Sequence, residues 1–307
     1  MSLKDFLVKY FSEEKFASFK EAIQRFAGGF DLADPVNASV FSLRNEWSKE
    51  EGEQYRVPGG YSQLIDYFVK KCTTNGTHIH YDSIVTNINY SVNNVVVQTS
   101  DGQSWHSDKL IVTVSAGVLK SDQILFNPFP ENYTKAIHQL GFGTVIKFLL
   151  EFKERFWEDV YPGSTFFITN EAVPTWWTES PVQSNLLTGW LGGPAARRWS
   201  NITEDELLSN AINSLANSFN ITREKLKENL QHYEIVNWQN TPFVCGGYSY
   251  ATVDSTSARK TLLTPLLDTI FFAGEALWSG QPQGTVEAAL QSGNEVADKI
   301  IQLSNHR

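Results

Sequence analysis

The sequence contains little cysteine, only Cys72 and Cys245 in 307 residues. They stand far apart and form neither a CxxC pair nor part of a cluster with metal-ligand spacing. A disulfide framework and a structural zinc site are therefore not expected, and no metal ligands are predicted. Such sparse cysteine is typical of a reducing compartment, so a cytoplasmic location is expected.

The sequence also lacks an excess of positive charge and any long apolar run. It carries 25 Lys and Arg against 34 Asp and Glu, a net charge of -9 at pH 7. This balance argues against nucleic acid or an anionic membrane as a partner, and no stretch approaches the roughly 20 apolar residues of a membrane-spanning helix. A small-molecule ligand fits the composition better.

The patterns that are present predict a mixed α/β chain. Apolar residues at three- and four-residue spacing predict two helices within residues 3–26 and further helices over 61–71, within 126–140 and over 203–219. Thr203 and Glu206 form the sequence signature of a capping box at the last of these. Strands are expected in a meander that ends at 109–114, and at 141–152, 185–193 and 231–238. Nine Trp suggest a stacking pocket, although core filling is the alternative.

Residues 269–297 read as a buried strand, a glycine-bearing loop and a helix. The loop Gln281-Pro-Gln-Gly-Thr285 has no acidic cap, although a helix start leaves backbone N–H groups unpaired. One interpretation is that these donors face an anionic or electron-rich ligand and that glycine permits its approach. The alternative is an ordinary strand-to-helix connection with Thr285 as a weak cap.

Four stretches carry a resemblance that covers nearly the whole chain. They are VPGGYSQLIDYF (57–68), LGFGTVIKFLLEFKERFW (140–157), WQNTPFVCGGYSYA (238–251) and FFAGEALWSGQPQGTVEAALQSG (271–293). In this order they resemble the flavin-dependent amine oxidase family, which includes monoamine oxidases, polyamine oxidases and flavin-type lysine demethylases. The resemblance implies oxidation of an amine by hydride transfer to flavin N5, imine hydrolysis and reoxidation by oxygen with release of hydrogen peroxide.

The resemblance also implies two discontinuous domains. Residues 1–56 and 118–237 would form a substrate-binding domain with a mixed sheet and helices, and residues 57–117 and 238–307 a partial FAD-binding domain. The family's FAD domain opens with a strand, a GxGxxG turn and a helix that hold the diphosphate, and this sequence contains no GxGxxG. We therefore expect an incomplete FAD domain that binds FAD weakly or not at all, completed by a segment supplied elsewhere or within a homo-oligomer.

The resemblance assigns one catalytic residue and a set of binding residues. Lys147 matches the lysine that holds a water near flavin N5, and Val145, Lys147 and Leu149 share one strand face, so its ammonium would be partly desolvated. The alternative is a solvated lysine on an edge strand. The positions implied to bind FAD are Val85 (adenine), Gly274 and Glu275 (ribityl or diphosphate), Gly284, Thr285 and Val286 (pyrimidine edge), and Trp238 (pocket wall).

Tyr248 matches one aromatic wall of the family's substrate cage, and the other wall falls at Thr285. This incomplete cage argues against a simple aryl-alkyl monoamine as substrate, and the amine itself stays open. Gly247 occupies the position of the family's covalent cysteine, so the flavin is expected to be non-covalent. Two alternatives remain: an FAD oxidoreductase of the protoporphyrinogen-oxidase or carotenoid-desaturase kind, and a non-catalytic remnant or binding module.

Overall fold

The computed structural model describes residues 1–48, 55, 57–280 and 283–305. The helices are α1 (Leu3–Tyr10), α2 (Ala17–Gly29), α3 (Val40–Trp47), α4 (Ser62–Thr74), α5 (Ala116–Leu119), α6 (Glu131–Gln139), α7 (Phe156–Val160), α8 (Gly193–Arg198), α9 (Glu204–Phe219), α10 (Arg223–Asn229), α11 (Ser255–Leu262) and α12 (Val286–Asn305), with short 3₁₀ turns at Glu14–Phe16 and Glu275–Leu277.

The strands are β1 (Val85–Ser91), β2 (Asn94–Thr99), β3 (Ser104–Ser107), β4 (Leu110–Val112), β5 (Leu125–Asn127), β6 (Gly141–Phe142), β7 (Val145–Phe152), β8 (Phe166–Ile168), β9 (Thr175–Thr178), β10 (Leu186–Gly192), β11 (Leu230–Asn237), β12 (Ser249–Tyr250) and β13 (Ile270–Phe272). The helices and strands predicted from periodicity are all present, with ends shifted by a few residues, except that the strand expected over 141–152 is interrupted.

That interruption separates β6 from β7 at Gly143 and Thr144. A Cβ atom on Gly143 would overlap the side chain and carbonyl of Leu32, so only glycine permits this approach. The Gly143 N–H donates to the Tyr248 carbonyl, and the Gly143 carbonyl accepts from the Gly247 N–H. The break therefore fastens the start of β7 to the segment that carries Tyr248.

The largest sheet has five antiparallel strands in the order β11-β7-β10-β9-β8. Along β7, Ile146, Phe148, Leu150 and Phe152 are fully buried, whereas the alternate residues are half-buried or exposed, apart from Val145 at the strand's start. The buried face packs against apolar residues of α9, including Ile212 and Leu215. The capping box of α9 forms as predicted. One face of the sheet thus packs into a hydrophobic core, and the opposite face can contribute side chains to a binding site.

A second core joins elements that are distant in sequence. The four-stranded sheet β3-β2-β1-β5 and the parallel pair β4–β13 pack with α6 and α11 around residues such as Ile88, Ile137, Leu262 and Phe272. Residues 133–142, which we assigned to the substrate-binding domain, lie in this core with residues of both FAD-domain segments. The division into 1–56 with 118–237 and 57–117 with 238–307 stays a prediction.

Helix α4 is amphipathic, yet none of its residues is buried. Ile65 on its apolar side is 58% exposed, and Tyr61 and Tyr67 are exposed as well. An amphipathic helix usually gains most of its stability from packing of its apolar face. Within the described residues, no helix is long and apolar enough to cross a membrane.

Candidate functional site

An open cavity of about 290 Å³ brings together residues from both halves of the sequence. It lies where the loop after α2, helix α3, the strand β12 and the start of α12 meet. The residues that line it are Phe30, Asp31, Glu46, Tyr248, Ser249, Tyr250, Gln283, Gly284 and Thr285. Three of these, Tyr248, Gly284 and Thr285, are site residues proposed from the sequence.

Tyr248 is fixed at both ends of its side chain. Its hydroxyl donates to the carbonyl of Phe30, and its ring stacks on Trp190 with ring centroids 6.5 Å apart. The Trp190 Nε1 atom donates to the Gly29 carbonyl at 2.8 Å, which ties both rings to the end of α2. Burial raises the pKa of Tyr248, and the charges of Asp31 and Glu46 add to this effect. Tyr248 therefore stays neutral and presents a rigid aromatic wall.

Lys147 lies on the face of β7 that is opposite the α9 core. It stands in register with Trp190 on β10 and Val236 on β11, and it is half-buried. It is not an edge-strand lysine, because β7 has a strand on each side. Lys147 does not line the cavity itself. It lies beside Trp190, which in turn contacts Tyr248.

The start of α12 reaches the cavity through Gly284 and Thr285. Gly284 has a φ of +70°, and a Cβ atom there would lie 3.1 Å from both the Ser249 carbonyl and Cδ2 of Tyr248. The Thr285 hydroxyl accepts from the Ala288 N–H at 3.2 Å, so Thr285 is the helix cap. Val286, the first helical residue, is exposed. Thr285 therefore caps the helix, as one of the two interpretations of the sequence expected, and it also lines the cavity.

The Glu275 carboxylate is hydrogen-bonded to another residue of the protein. The Ser249 hydroxyl donates to Glu275 Oε2 at 2.6 Å, and the backbone of Ser249 and of Gly284 lies near the same carboxylate. Burial raises the pKa of Glu275, while these contacts and the charge of Arg259 act in the opposite direction. Next to it, Gly274 has a φ of +145°, and a Cβ atom there would face open space.

Two further residues proposed from the sequence, Trp238 and Val85, also lie outside the cavity wall. Trp238 follows β11, and its backbone pairs with Val145 and Gly246, which joins the start of β7 to the loop before Tyr248. Val85 begins β1 and is partly buried against the second core. The structure therefore brings Tyr248, Gly284 and Thr285 to one cavity with Glu275, Trp238 and Lys147 around it, whereas Val85 belongs to another sheet.

An acidic and aromatic group at this cavity was not predicted from the sequence. Asp31 is only 5% exposed, and its Oδ2 accepts from Trp47 Nε1 at 2.9 Å. Burial, helped by the negative charge of Glu46, raises the pKa of Asp31 to about 7. Trp47 packs edge-on against Phe26, which stacks on Phe30. The available signal was a carboxylate between two apolar residues in Phe30-Asp31-Leu32, which alone does not predict burial.

The residues present fit part of an FAD molecule. Backbone next to Gly274 borders open space, and the capped start of α12 stands beside the Tyr248 wall. Helix starts present N–H groups that suit an electron-rich ring edge. Gly274, Glu275, Gly284, Thr285 and Trp238 are the residues predicted to hold the ribityl and ring portion. The sequence contains no GxGxxG turn for the diphosphate.

Solved structures share this arrangement of elements. Cyclohexylamine oxidase from Brevibacterium oxydans IH-35A superposes with a TM-score of 0.76 at 18% identity, over 99% of this chain and 68% of its own. A redesigned putrescine oxidase gives the same TM-score at 17% identity, over 98% of this chain and 68% of the other. The fold is therefore that of the FAD-dependent amine oxidases, as expected from the sequence.

The chain belongs to the family of flavin containing amine oxidoreductases, whose sequence profile matches residues 2–301. Among curated relatives, "Lysine-specific histone demethylase 1 homolog 3" of Arabidopsis thaliana is 29% identical over 279 residues, which cover 84% of this chain and 17% of that protein. "Lysine-specific histone demethylase 2" of Homo sapiens is 28% identical over 96% of this chain and 37% of its own length. "Polyamine oxidase 4" of Oryza sativa subsp. japonica is 27% identical over 86% of this chain and 53% of its own length. The chain thus spans between a sixth and about half of these relatives.

Proposed function

We propose that this protein contributes the substrate side of an FAD-dependent amine oxidase. The observation that carries the proposal is the cavity in which the Tyr248 wall and the start of α12 meet the carboxylates of Asp31 and Glu46. Aromatic rings and carboxylates together attract a cationic amine, through ring stacking or cation–π contact on one side and opposite charge on the other.

Within this proposal each residue has a defined task. Tyr248 and Trp190 form a fixed wall that orients the amine, and the start of α12 places backbone donors toward the ring of the cofactor. Lys147, half-buried beside Trp190, would hold a water and serve proton movement near the reacting carbon. Bound FAD would supply the hydride acceptor, since none of these side chains can accept a hydride.

The substrate class we infer is an amine that carries a second positive charge. Two acidic side chains line one cavity, and Asp31 is buried, so a buried cation would compensate their charge better than water does. The name of one sequence relative, "Polyamine oxidase 4", points the same way, because polyamines are multiply charged. Thr285 in place of a second aromatic wall gives a simple aryl-alkyl monoamine no second ring to stack against.

The test measures hydrogen peroxide release by the purified protein in a large excess of FAD. The panel is cyclohexylamine, putrescine, spermine and a dimethyl-lysine peptide, with heat-denatured protein as the blank for free flavin. We expect the multiply charged amines to react with the higher kcat/KM. At about pH 8, above the Asp31 pKa of about 7, Asp31→Asn should lower kcat/KM about tenfold for them and change it little for cyclohexylamine, because a charge-assisted contact contributes roughly 1.5 kcal/mol or more.

A matched control is Asp34→Asn, which removes a carboxylate from the same loop but not from this cavity. A preference for cyclohexylamine, or an equal loss for every amine in Asp31→Asn, would contradict the inferred substrate class. No flavin-dependent peroxide with any amine would reject the enzyme and favour a binding module. An amine-independent oxidation of a porphyrinogen or carotenoid would favour the other FAD oxidoreductases.

A further inference from the structure

Arg259 on α11 is a buried cation with an unusual set of neighbours. It is 8% exposed, and in the described part of the chain it makes no ion pair within 4.0 Å. A guanidinium is rarely buried without compensation, because its desolvation costs several kcal/mol. Its nearest compensating groups both belong to the region around the cavity.

The first neighbour is Gln283, which precedes the start of α12. With the amide oxygen turned toward the guanidinium, Gln283 accepts from Nη2 at 3.1 Å and from Nη1 at 3.2 Å. Two parallel N–H donors on one oxygen fix the direction of both side chains. Gln283 lines the cavity, so this contact anchors its wall from behind.

The second neighbour is Glu275, whose charge interacts with that of Arg259. The Glu275 carboxylate accepts from the Ser249 hydroxyl at 2.6 Å, and the nearby backbone of Gly284 lowers its pKa. Consecutive residues of one loop therefore lie beside opposite charges: Gln283 beside Arg259 and Gly284 beside Glu275. Because Gly284 packs on Tyr248, the charges fix the spacing between the start of α12 and the aromatic wall.

We propose that Arg259, through its contact with Gln283 and beside the charge of Glu275, positions residues 283–285 against Tyr248, which makes Arg259 a positioning residue for the ligand of this cavity. The identity of that ligand rests on the function proposed above. Loss of the guanidinium would remove the Gln283 contact and leave the Glu275 carboxylate buried without its nearby cation. The start of α12 would then open more often, while distant helices would keep their stability.

The experiment is hydrogen–deuterium exchange of the 307-residue chain without cofactor or amine. In Arg259→Met we expect amides at 284–290 to exchange at least about tenfold faster, with the α9 peptide 204–219 unchanged. Arg259→Lys keeps the charge without the two-pronged contact and should show a smaller increase. Adding Glu275→Gln to Arg259→Met removes the uncompensated carboxylate and should restore part of the protection.

The matched control is Lys260→Met, which removes a cation from the neighbouring, exposed position on α11 and should leave residues 284–290 as in the wild type. Should Arg259→Met fail to fold, Gln283→Ala tests the same contact from the loop side and should also accelerate exchange at 284–290. Equal acceleration at α9, or no acceleration beyond that of the control, would overturn the proposal. Because no flavin or amine enters the experiment, its result is independent of whether the protein oxidises amines.

Discussion

At the scale of single residues, Lys147 is the residue that we predict to be catalytic. It lies on an interior strand of the five-stranded sheet, is half-buried, and is in register with Trp190, which stacks on Tyr248. Its side chain is therefore held near the aromatic wall without taking part in the cavity lining. A residue in this position can influence chemistry at the site while contributing little to cofactor affinity.

We expect Lys147→Met to slow flavin reduction by the amine, or its reoxidation, by at least tenfold while FAD affinity is unchanged. A tenfold loss in rate corresponds to an activation barrier that is higher by about 1.4 kcal/mol. An ammonium that holds a reacting water can contribute this much. Stopped-flow flavin absorbance separates the two half-reactions, and Lys153→Met, beyond the end of β7, is the control. Wild-type rates in both half-reactions would show Lys147 to be a structural residue.

Asp31 should make the stability of the protein depend on pH in an unusual direction. Its pKa is about 7 in the folded state against an ordinary 3.8, so the folded state retains a proton that the unfolded chain releases between these values. The free energy of unfolding should therefore fall as pH rises from about 4 to 7, at roughly 1.4 kcal/mol per pH unit at most.

Urea unfolding at pH 5 and pH 7 measures this effect. In Asp31→Asn the fall should be smaller by roughly 2 kcal/mol than in the wild type. Glu21→Gln, which removes a carboxylate on a side chain that is 75% exposed, should follow the wild type. Identical pH dependence in wild type and Asp31→Asn would mean that the carboxyl is already ionised at pH 5.

At the scale of secondary structure elements, the break between β6 and β7 brings the backbone at Gly143 against the loop after α2. The backbone at Gly143 touches Leu32, which lies in the loop that carries Asp31. The break thus sets the position of the cavity's acidic loop relative to the sheet. Any side chain at residue 143 has to displace that loop.

Gly143→Ala is therefore expected to lower the free energy of unfolding by about 1 to 3 kcal/mol, the usual cost of overpacking. Gly29→Ala is the matched control, since a Cβ atom on Gly29 in α2 meets nothing within 4 Å. That variant should be neutral or stabilising by up to about 1 kcal/mol, because alanine favours a helix over glycine. Thermal or urea unfolding that shows equal stability for both variants would refute the packing argument.

The sequence was sufficient for elements whose pattern is strong and local. Alternation along β7 and the Thr203–Glu206 capping box locate a strand and a helix start to within a few residues. The four quoted stretches identified the family, which the sequence profile over residues 2–301 confirms. Such features depend on neighbours in sequence, so they can be seen before the chain is folded.

Other features depend on contacts between distant residues and left no local pattern. Asp31 lies at a cavity whose lining also comes from α3 and the start of α12, and Arg259 is buried beside Gln283 and near the charge of Glu275. The short strand β9 is fixed by pairing with β10, and β8 by pairing with β9, rather than by their own residues. The roles of Lys147, Val85 and the other site residues remain predictions.

At the scale of the whole molecule, this chain matches part of the length of its relatives and exposes an apolar surface. Tyr61, Ile65 and Tyr67 of the α4 region face solvent, and the parallel strands β4 and β13 pair only with each other within the described residues. Parallel sheets are normally buried on both faces. The relatives contain further chain in addition to the part that this sequence matches.

We accordingly expect the 307-residue chain to bind FAD more weakly than micromolar. Contacts to the ring and ribityl portion remain, but the sequence has no GxGxxG turn at a helix start, where a diphosphate is usually held. Equilibrium titration of flavin fluorescence measures the affinity, with intact cyclohexylamine oxidase as the positive control. Micromolar or tighter binding would show that other groups replace the diphosphate cradle.

The strand order of the large sheet has a consequence for synthesis on the ribosome. Strand β7 lies between β10 and β11, and β11 is made long after β7 has left the exit tunnel. Until β11 has been synthesised, the apolar strand β7 has one unpaired edge in the nascent chain, and such edges pair readily with other chains. Translation pauses or truncations before residue 230 would therefore leave this edge uncovered and prone to aggregation, so yield in cells should depend on how quickly the last quarter of the chain is made.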